Sequence, residues 1–251
     1  ASGIMGEGLD LNDISDAIDG LEGSGDVILG NATLTIGANG GGSEFDGSIS
    51  GTGGIIKTGG GSQIFSGPAK TYSGGTAING GVLEIDVDGH LGDASGSLSF
   101  DGGTLLTDDS MATSRPTTMN AGGGTFFVAG SELLTHNGGI SGVGGLGKAG
   151  SGTLLLNAVS SYAGPTTVTD GTLVLGGSER LPNTTSLTVT APADFDLNNF
   201  NETIDGLSGS GTVNLTNAQL TVGISGGNGN FSGVITGTGD FQKEGGGTQT
   251  L

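Results

Sequence analysis

The sequence has 251 residues, of which 57 are glycine and none is cysteine, and 6 basic against 25 acidic residues give a net charge of −19 at pH 7. This charge repels phosphate backbones and anionic headgroups, which argues against a nucleic-acid or membrane-surface partner. The lack of cysteine excludes thiolate metal sites, a cysteine nucleophile and disulfide bonds.

Short apolar runs separated by glycine-rich turns occur along the whole chain, and each run predicts a strand of three to six residues. In chain order, the clearest runs begin at Val27, Leu34, Val82, Thr153 and Thr172. No run approaches the ~20 apolar residues of a membrane-spanning helix. The first residues of the sequence lack the pattern of a signal peptide. The prolines, 5 in number and without a three-residue period, exclude collagen.

The segment Ile4–Ile18 fits an acidic amphipathic helix when it is considered alone. A related segment later in the chain is rich in asparagine and threonine, which are poor helix formers. Both segments keep apolar residues at alternate positions, Leu9 and Leu11 in the first and Phe195 and Leu197 in the second. We therefore predict strands in both.

Internal repeats are the main feature of the sequence. Leu9–Phe65 aligns without gaps on Phe195–Leu251, at an offset of 186 residues (195 − 9), with roughly half the positions identical. A second match aligns Ile49 with Ile140, so that the repeated lysines are Lys57, Lys148 and Lys243. We predict one β-helix fragment, 1–251, with repeat units at about 9–106, 107–190 (partial and divergent) and 195–251 (truncated). Because the third unit stops early, we expect a piece of a longer protein.

The repeat selects the fold class. Each unit of about 90 residues contains several short strands with turns every ~8–12 residues. Solenoids repeat along the chain whereas sandwiches do not, and propellers and leucine-rich repeats have other periods and signatures. We predict an all-β, right-handed parallel β-helix of about ten to twelve coils, roughly 50–60 Å long.

The clearest repeat begins at Lys148 with K-A-G-S-G-T-L-L-L-N and continues with S-Y-A-G-P-T-T-V-T-D-G-T-L-V-L. It resembles the passenger-associated transport repeat of bacterial autotransporters. The first copy departs from the pattern, because GGGSQIF follows Lys57, and the third copy is only KEGGGTQTL. The resemblance assigns structural motif positions to Lys57, Tyr72, Gly74, Lys148, Tyr162, Gly164 and Lys243.

The resemblance implies a β-helix passenger of a Gram-negative type V secretion protein, secreted to the cell surface. Its implied partner is its own C-terminal outer-membrane β-barrel translocator, outside this sequence, which anchors the full-length protein. In that family the repeat is associated with translocation and folding of the passenger, and with a stalk or adhesin role in virulence. Host-surface or self-association partners are the further expectation. We expect no cofactor.

A glycan-processing lyase or hydrolase is the alternative function, since some β-helices carry paired carboxylates on one face. Asp86 and Asp88 are two residues apart, which predicts that they point to the same side of a strand. The other repeat has no matching carboxylates. His90 and His136 lie in turn-like sequences and are expected to be exposed.

Metal binding is a further alternative function. Gly6–Asp10 is a partial match to a calcium-binding nonapeptide, and Asp10 recurs as Asp196. Consecutive nonapeptides are missing, so we expect structural turn carboxylates, with Ca²⁺ as an open alternative. The only arginines, Arg115 and Arg180, are few for an enzyme of acidic glycans. The repeated lysines are expected to be solvated or to cap corners.

Overall fold

The computed structural model describes residues 8–251. Every strand pair in this part of the chain is parallel, and the two strands of a pair lie one turn apart. The strands form a β-solenoid of about 12 turns. The predicted all-β, parallel solenoid is therefore confirmed. Its right-handedness stays a prediction from the general handedness of parallel crossovers.

Each complete turn contributes one strand to each of three faces, which we number in chain order. Face one contains Leu9–Asp10, Val27–Ile28, Ile49–Ser50, Met111–Thr113, Leu133–His136, Thr153–Leu156, Thr172–Leu175, Asp194–Asp196, Thr212–Asn214 and Val234–Thr236. Face two contains Asp16–Ile18, Leu34–Ile36, Ile55–Lys57, Thr76–Ile78, Leu98–Phe100, Thr117–Met119, Ile140–Gly142, Glu202–Ile204, Gln219–Val222 and Asp240–Lys243. Face three contains Ser43–Phe45, Ser62–Phe65, Val82–Ile85, Thr104–Thr107, Gly124–Val128, Leu146–Ala149, Thr166–Val168, Ser186–Val189, Gly206–Gly209, Gly229–Asn230 and Gln249–Thr250.

Stacked inward side chains hold the turns together. Along face three, Leu83 is in register with Leu105, and Leu105 with Phe126. All three side chains are fully buried, while their strand neighbours face outward. Each such side chain contributes roughly 1.5–3 kcal/mol through burial. The alternating pattern of the sequence thus becomes continuous apolar columns along the axis.

The predicted strands are found where the sequence places them, from Val27–Ile28 to Thr172–Leu175. The ambiguous first segment forms the strands Leu9–Asp10 and Asp16–Ile18, while residues 4–7 lie outside the described part. The one helical element within residues 8–251 is a 3₁₀ turn, Asp88–Leu91. That range contains no helix with the length and apolarity needed to cross a membrane.

Two of the faces are interrupted. Face one has loops in place of strands between Ile49–Ser50 and Met111–Thr113, over turns four and five. Face two has the same arrangement between Ile140–Gly142 and Glu202–Ile204, over turns eight and nine. Each interruption begins shortly after a repeated lysine. In these two places the repeats therefore depart from the regular arrangement of one strand per face in each turn.

Candidate functional site

The repeated lysine closes a corner of the solenoid. Lys148 lies in the strand Leu146–Ala149, and its side chain is 1% exposed. Its ammonium donates to the carbonyl oxygens of Ala149 at 2.8 Å, Gly150 at 2.6 Å and Asp170 at 3.0 Å. Asp170 belongs to the following turn, so the lysine joins two turns. Burial lowers the pKa of Lys148 to about 8, and the charge of Asp170 partly opposes this shift.

Lys57 has the same arrangement in the first repeat. Its ammonium donates to the carbonyls of Thr58, at 2.6 Å, and Gly80, at 3.3 Å, and burial lowers its pKa. Lys243, in the twelfth turn, is exposed and bonds to carbonyls of its own corner, including that of Gly245 at 3.1 Å. Lys57 and Lys148 are thus corner-capping and not solvated.

A glycine with a positive φ lies beside each of the two buried repeat lysines, Lys57 and Lys148. Gly81 and Gly171 have φ of +62° and +61°, in the left-handed region that side chains rarely adopt. A Cβ at Gly81 would lie 2.7 Å from Nζ of Lys57, and one at Gly171 would lie 2.8 Å from Nζ of Lys148. The lysine of one turn and the glycine of the next therefore form one packing unit.

The tyrosine of each repeat lies in a loop that interrupts a face, and its side chain is buried in the interior of the solenoid. Tyr72 and Tyr162 are 0% and 1% exposed, and burial raises the pKa of both phenols. The hydroxyl of Tyr72 lies 2.6 Å from that of Thr76, and the hydroxyl of Tyr162 lies 2.5 Å from that of Thr166. Each threonine opens the strand that follows the loop. The pair thus joins the loop to the regular coil.

The motif glycines permit close contact between turns. A Cβ at Gly74 would lie 2.5 Å from the carbonyl carbon of Gly53, and one at Gly164 would lie 2.4 Å from the amide nitrogen of Gly145. Both contacts involve backbone, which cannot rotate away. A side chain at either position would push the turns apart.

Arg115 closes the first interruption. Its side chain is 1% exposed, and its Nε and Nη2 donate to the carboxylate of Asp88 at 3.0 and 3.1 Å. The guanidinium also donates to the carbonyls of Gly92 (2.7 Å), Asp93 (2.6 Å) and Gly96 (3.2 Å). These carbonyls belong to the loop that takes the place of a strand on face one in turn five. A fork of five N–H donors is suited to several acceptors at once.

Glu202 holds the loop of the second interruption as a hydrogen-bond acceptor, whereas Arg115 holds the first as a donor. Its side chain is 1% exposed, and its carboxylate accepts from the amides of Arg180, at 2.8 Å, and Leu181, at 3.3 Å. Burial is the main cause that raises the pKa of Glu202 to about 8, and the charge of Glu179 adds to it. Sequence reasoning missed the role of both Arg115 and Glu202. Their burial has no signal in the sequence, because charged residues are ordinarily exposed.

The candidate catalytic residues are not arranged as predicted. Asp86 and Asp88 lie beyond the end of the strand Val82–Ile85, and Asp88 begins the 3₁₀ turn. Asp86 approaches Nδ1 of His90 at 2.8 Å, while Asp88 pairs with the arginine described above. The expected exposure of the histidines is wrong, since His90 is 1% and His136 0% exposed.

His136 has a structural environment. Its Nδ1 lies 2.9 Å from the carbonyl oxygen of Gly138, and its Nε2 lies 2.9 Å from the hydroxyl of Thr117. Its ring packs edge-on against Phe126, with centroids 5.3 Å apart. Burial lowers the pKa of His136 to about 4, which keeps the imidazole neutral at neutral pH.

The acidic turns have local partners. Asp10 accepts from the amide of Asn12 at 2.9 Å, and Asp196 accepts from the amide of Asn198 at 2.8 Å. These are Asx turns, in which the carboxylate replaces a backbone acceptor. Over residues 8–251, no three His, Asp or Glu side chains are grouped so that they could hold a metal ion.

The repeats do not all face the same way. Lys57 lies on face two of the third turn, Lys148 on face three of the seventh, and Lys243 on face two of the twelfth. The offset of 186 residues between the first and third lysines is thus nine turns. The 91 residues from the first to the second are four turns plus one face. The second repeat is therefore rotated by one third of a turn around the axis.

Comparison with known proteins agrees with this geometry. Residues 55–85 and 146–175 match the family described as Passenger-associated-transport-repeat. A stretch of 86 residues is 43% identical to the adhesin BmaC autotransporter of Brucella suis biovar 1 (strain 1330). That stretch is 32% of this chain but 2% of the length of the adhesin. No solved structure matches the chain significantly.

Fold and motifs define a parallel β-solenoid in which two transport repeats, each with its buried lysine and tyrosine, are built into the coil. In these repeats, and over a stretch of 86 residues, the chain is similar to the passenger of an autotransporter.

Proposed function

We propose that this chain is a rigid stalk segment of a secreted passenger at the surface of a Gram-negative cell, where its repeats support folding of the passenger after export. The observation that carries the proposal is that one buried unit, made of lysine, glycine and tyrosine, occurs in both matched repeats. About 12 turns spaced by about 4.8 Å give a rod of roughly 50 Å.

The motif residues support a folding role in physical terms. The ammonium of Lys148 reaches carbonyls of two successive turns, and Tyr162 bonds to the strand that follows its loop. The bond from Lys148 to Asp170, 22 residues later, forms only when a new turn stacks on the preceding one, whereas the bond of Tyr162 fixes the loop within its own turn. A chain that emerges gradually from a translocator would therefore gain these bonds turn by turn, and stacked turns would resist slipping back.

In the whole protein, the partner is the C-terminal outer-membrane β-barrel translocator, and the exposed passenger acts as an adhesin toward a host surface or another passenger. Support for adhesion comes from the name of the relative, an adhesin. We further propose that the segment itself has no catalytic activity. The reasons are that the candidate carboxylates Asp86 and Asp88 engage different partners and that both histidines are buried.

The test is display of the parent passenger, with its own translocator, on a Gram-negative cell. Gly171→Ala, which disrupts a repeat corner, is compared with Gly60→Ala, which has open space around it. We expect several-fold less protease-resistant passenger at the surface for the first variant and wild-type levels for the second. Equal display of both variants would refute the folding role.

Adhesion and catalysis need separate measurements. Cells that display the wild-type passenger should bind host cells or one another above cells that display the barrel alone, and equal binding would contradict the adhesin role. The purified chain should release no new ends from acidic polysaccharides. Release of such ends would restore the glycan-processing alternative.

A further inference from the structure

The loop of residues 176–185, in turn nine of face two, is held by an acid that has no cationic partner. Glu202 lies in the first strand after the interruption, Glu202–Ile204, and accepts from two amides of the loop, those of Arg180 and Leu181. The two ion pairs found over residues 8–251 do not include Glu202. A buried carboxylate without a counter-charge is costly to keep ionised.

The groups that face Glu202 do not neutralise it. Glu179, in the loop, accepts from the hydroxyl of Thr203 through Oε1 at 3.1 Å, while its Oε2 is buried without a hydrogen-bond partner. The guanidinium of Arg180 donates to the carbonyl of Ser178 at 2.8 Å. The remaining titratable neighbour, Tyr162, is a neutral phenol. A second carboxylate, Glu179, therefore lies near Glu202, and the nearby guanidinium of Arg180 is bonded to a different acceptor.

Neither ionisation state of Glu202 suits this site fully. The ionised form offers both oxygens to the two amides but must be kept from water. The protonated form avoids that cost but leaves one strong acceptor oxygen for two donors. Burial is the largest cause that raises the pKa of Glu202 to about 8, and the charge of Glu179 adds to it, while the amides of Arg180, Leu181 and Thr203 partly oppose the shift. The protonated form is therefore favoured up to mildly alkaline pH.

The first interruption has no such conflict. Its loop, residues 86–97, is held by the guanidinium of Arg115, which is paired with Asp88. The first loop is thus held by an ion pair and the second by a carboxyl group without a counter-charge. The first loop also contains the buried His90, 2.8 Å from Asp86.

We propose that the loop of residues 176–185 is a pH-sensitive latch on the side of the solenoid, closed while Glu202 is protonated and opening as Glu202 ionises. The closed state binds more protons than an open state in which the carboxylate is hydrated, with its ordinary pKa of 4.5. Closing is therefore most favourable below pH 4.5 and is lost as pH rises toward 8. Over this window the opening equilibrium rises by about tenfold per pH unit.

Hydrogen exchange measured by mass spectrometry on the whole chain tests the latch, from pH 5 to 9 and corrected for intrinsic exchange rates. Protection of peptides covering 176–185 should fall by about tenfold per pH unit up to pH 8. Peptides covering 117–128, a segment without any titratable side chain, should show no such slope. Equal slopes for the two segments, or no slope for 176–185, would overturn the proposal.

Two variants separate the latch from general loosening. Glu202→Gln cannot ionise, so protection of 176–185 should become independent of pH. Glu179→Gln should retain the slope but end it at lower pH, because the loss of one repelling charge lowers the pKa of Glu202. A Glu202→Gln protein that keeps the wild-type slope would overturn the assignment. If that variant does not fold, carbon NMR titration of Glu202 in the wild-type chain decides: a midpoint of 7–8 supports the latch and a midpoint below 5 refutes it.

Discussion

Replacement of Gly171 by alanine tests the corner unit that the repeats share. This residue has a φ of +61°, and a Cβ would lie 2.2 Å from the carbonyl oxygen of Gly152 and 2.4 Å from that of Gly150. It would also lie 2.8 Å from Nζ of Lys148. Real Cβ contacts with backbone are no shorter than 3.0 Å. The corner must therefore move by nearly an ångström, away from the lysine.

The expected loss of stability follows from two contributions. An alanine in the left-handed region costs about 1–2 kcal/mol relative to glycine. The displacement also breaks the bond from Lys148 to the carbonyl of Asp170, which is 3.0 Å long, and a bond to a charged group contributes roughly 1.5–3 kcal/mol. We expect Gly171→Ala to lower the free energy of unfolding by about 3–4 kcal/mol, a large fraction of a typical total.

Urea unfolding followed by circular dichroism, with linear extrapolation to water, measures this loss. The matched control is Gly60→Ala, in the corner that follows the lysine of the first repeat. An added Cβ there has no atom within 4 Å and no positive φ to strain it. The control should unfold within about 0.5 kcal/mol of wild type. If Gly171→Ala did so too, the corner would not be the close-packed unit described.

Three further changes probe the interiors of the repeats. Tyr162→Phe removes the hydroxyl that bonds to Thr166 and should cost about 1 kcal/mol in the same urea assay; a loss above about 3 kcal/mol would mean that the ring had moved. Arg115→Met leaves Asp88 and several loop carbonyls without their donor, and it should lower the free energy of unfolding by about 3 kcal/mol. Arg115→Lys should recover only part of this loss, because lysine lacks the planar guanidinium. Full recovery by lysine would show that the guanidinium geometry is dispensable. His136, with a folded pKa of about 4 against 6.5 in an unfolded chain, contributes stability above pH 6.5 that is lost as pH falls toward 4, by up to about 3 kcal/mol. Thermal unfolding across that range should show this loss relative to His136→Gln, and parallel pH profiles of the two proteins would contradict it.

Much of the fold could be predicted because its signals are local. Strands such as Val82–Ile85 follow from alternating apolar residues between glycine turns, and the solenoid follows from their repetition. The lysine and tyrosine positions were predicted from the motif. The motif does not decide whether Lys148 is buried, because a lysine beside glycines is as readily a solvated residue as a capping one.

The loop closures could not be predicted, because they join residues from different turns. Arg115 reaches Asp88, 27 positions earlier, and Glu202 reaches Arg180, 22 positions earlier. A polar residue gains such a partner only when the number of residues per turn places the two side by side. That number varies along the chain, so the sequence offers no fixed spacing to search for. The histidines were misjudged for the same reason, since the cover over His136 comes from neighbouring turns.

Strand alternation and internal repeats can be recognised along the chain, so the all-β class, the solenoid and the positions of the repeated lysines and tyrosines were predictable from the amino-acid sequence. The direction in which each repeat faces depends on the folded chain. A unit of 91 residues fills four turns and one face, so Lys57 and Lys148 lie on different faces, whereas Lys243, after nine whole turns, returns to the face of Lys57. Direction around the axis depends on the sum of all intervening turn lengths, and that sum is fixed only when every turn has stacked on the one before.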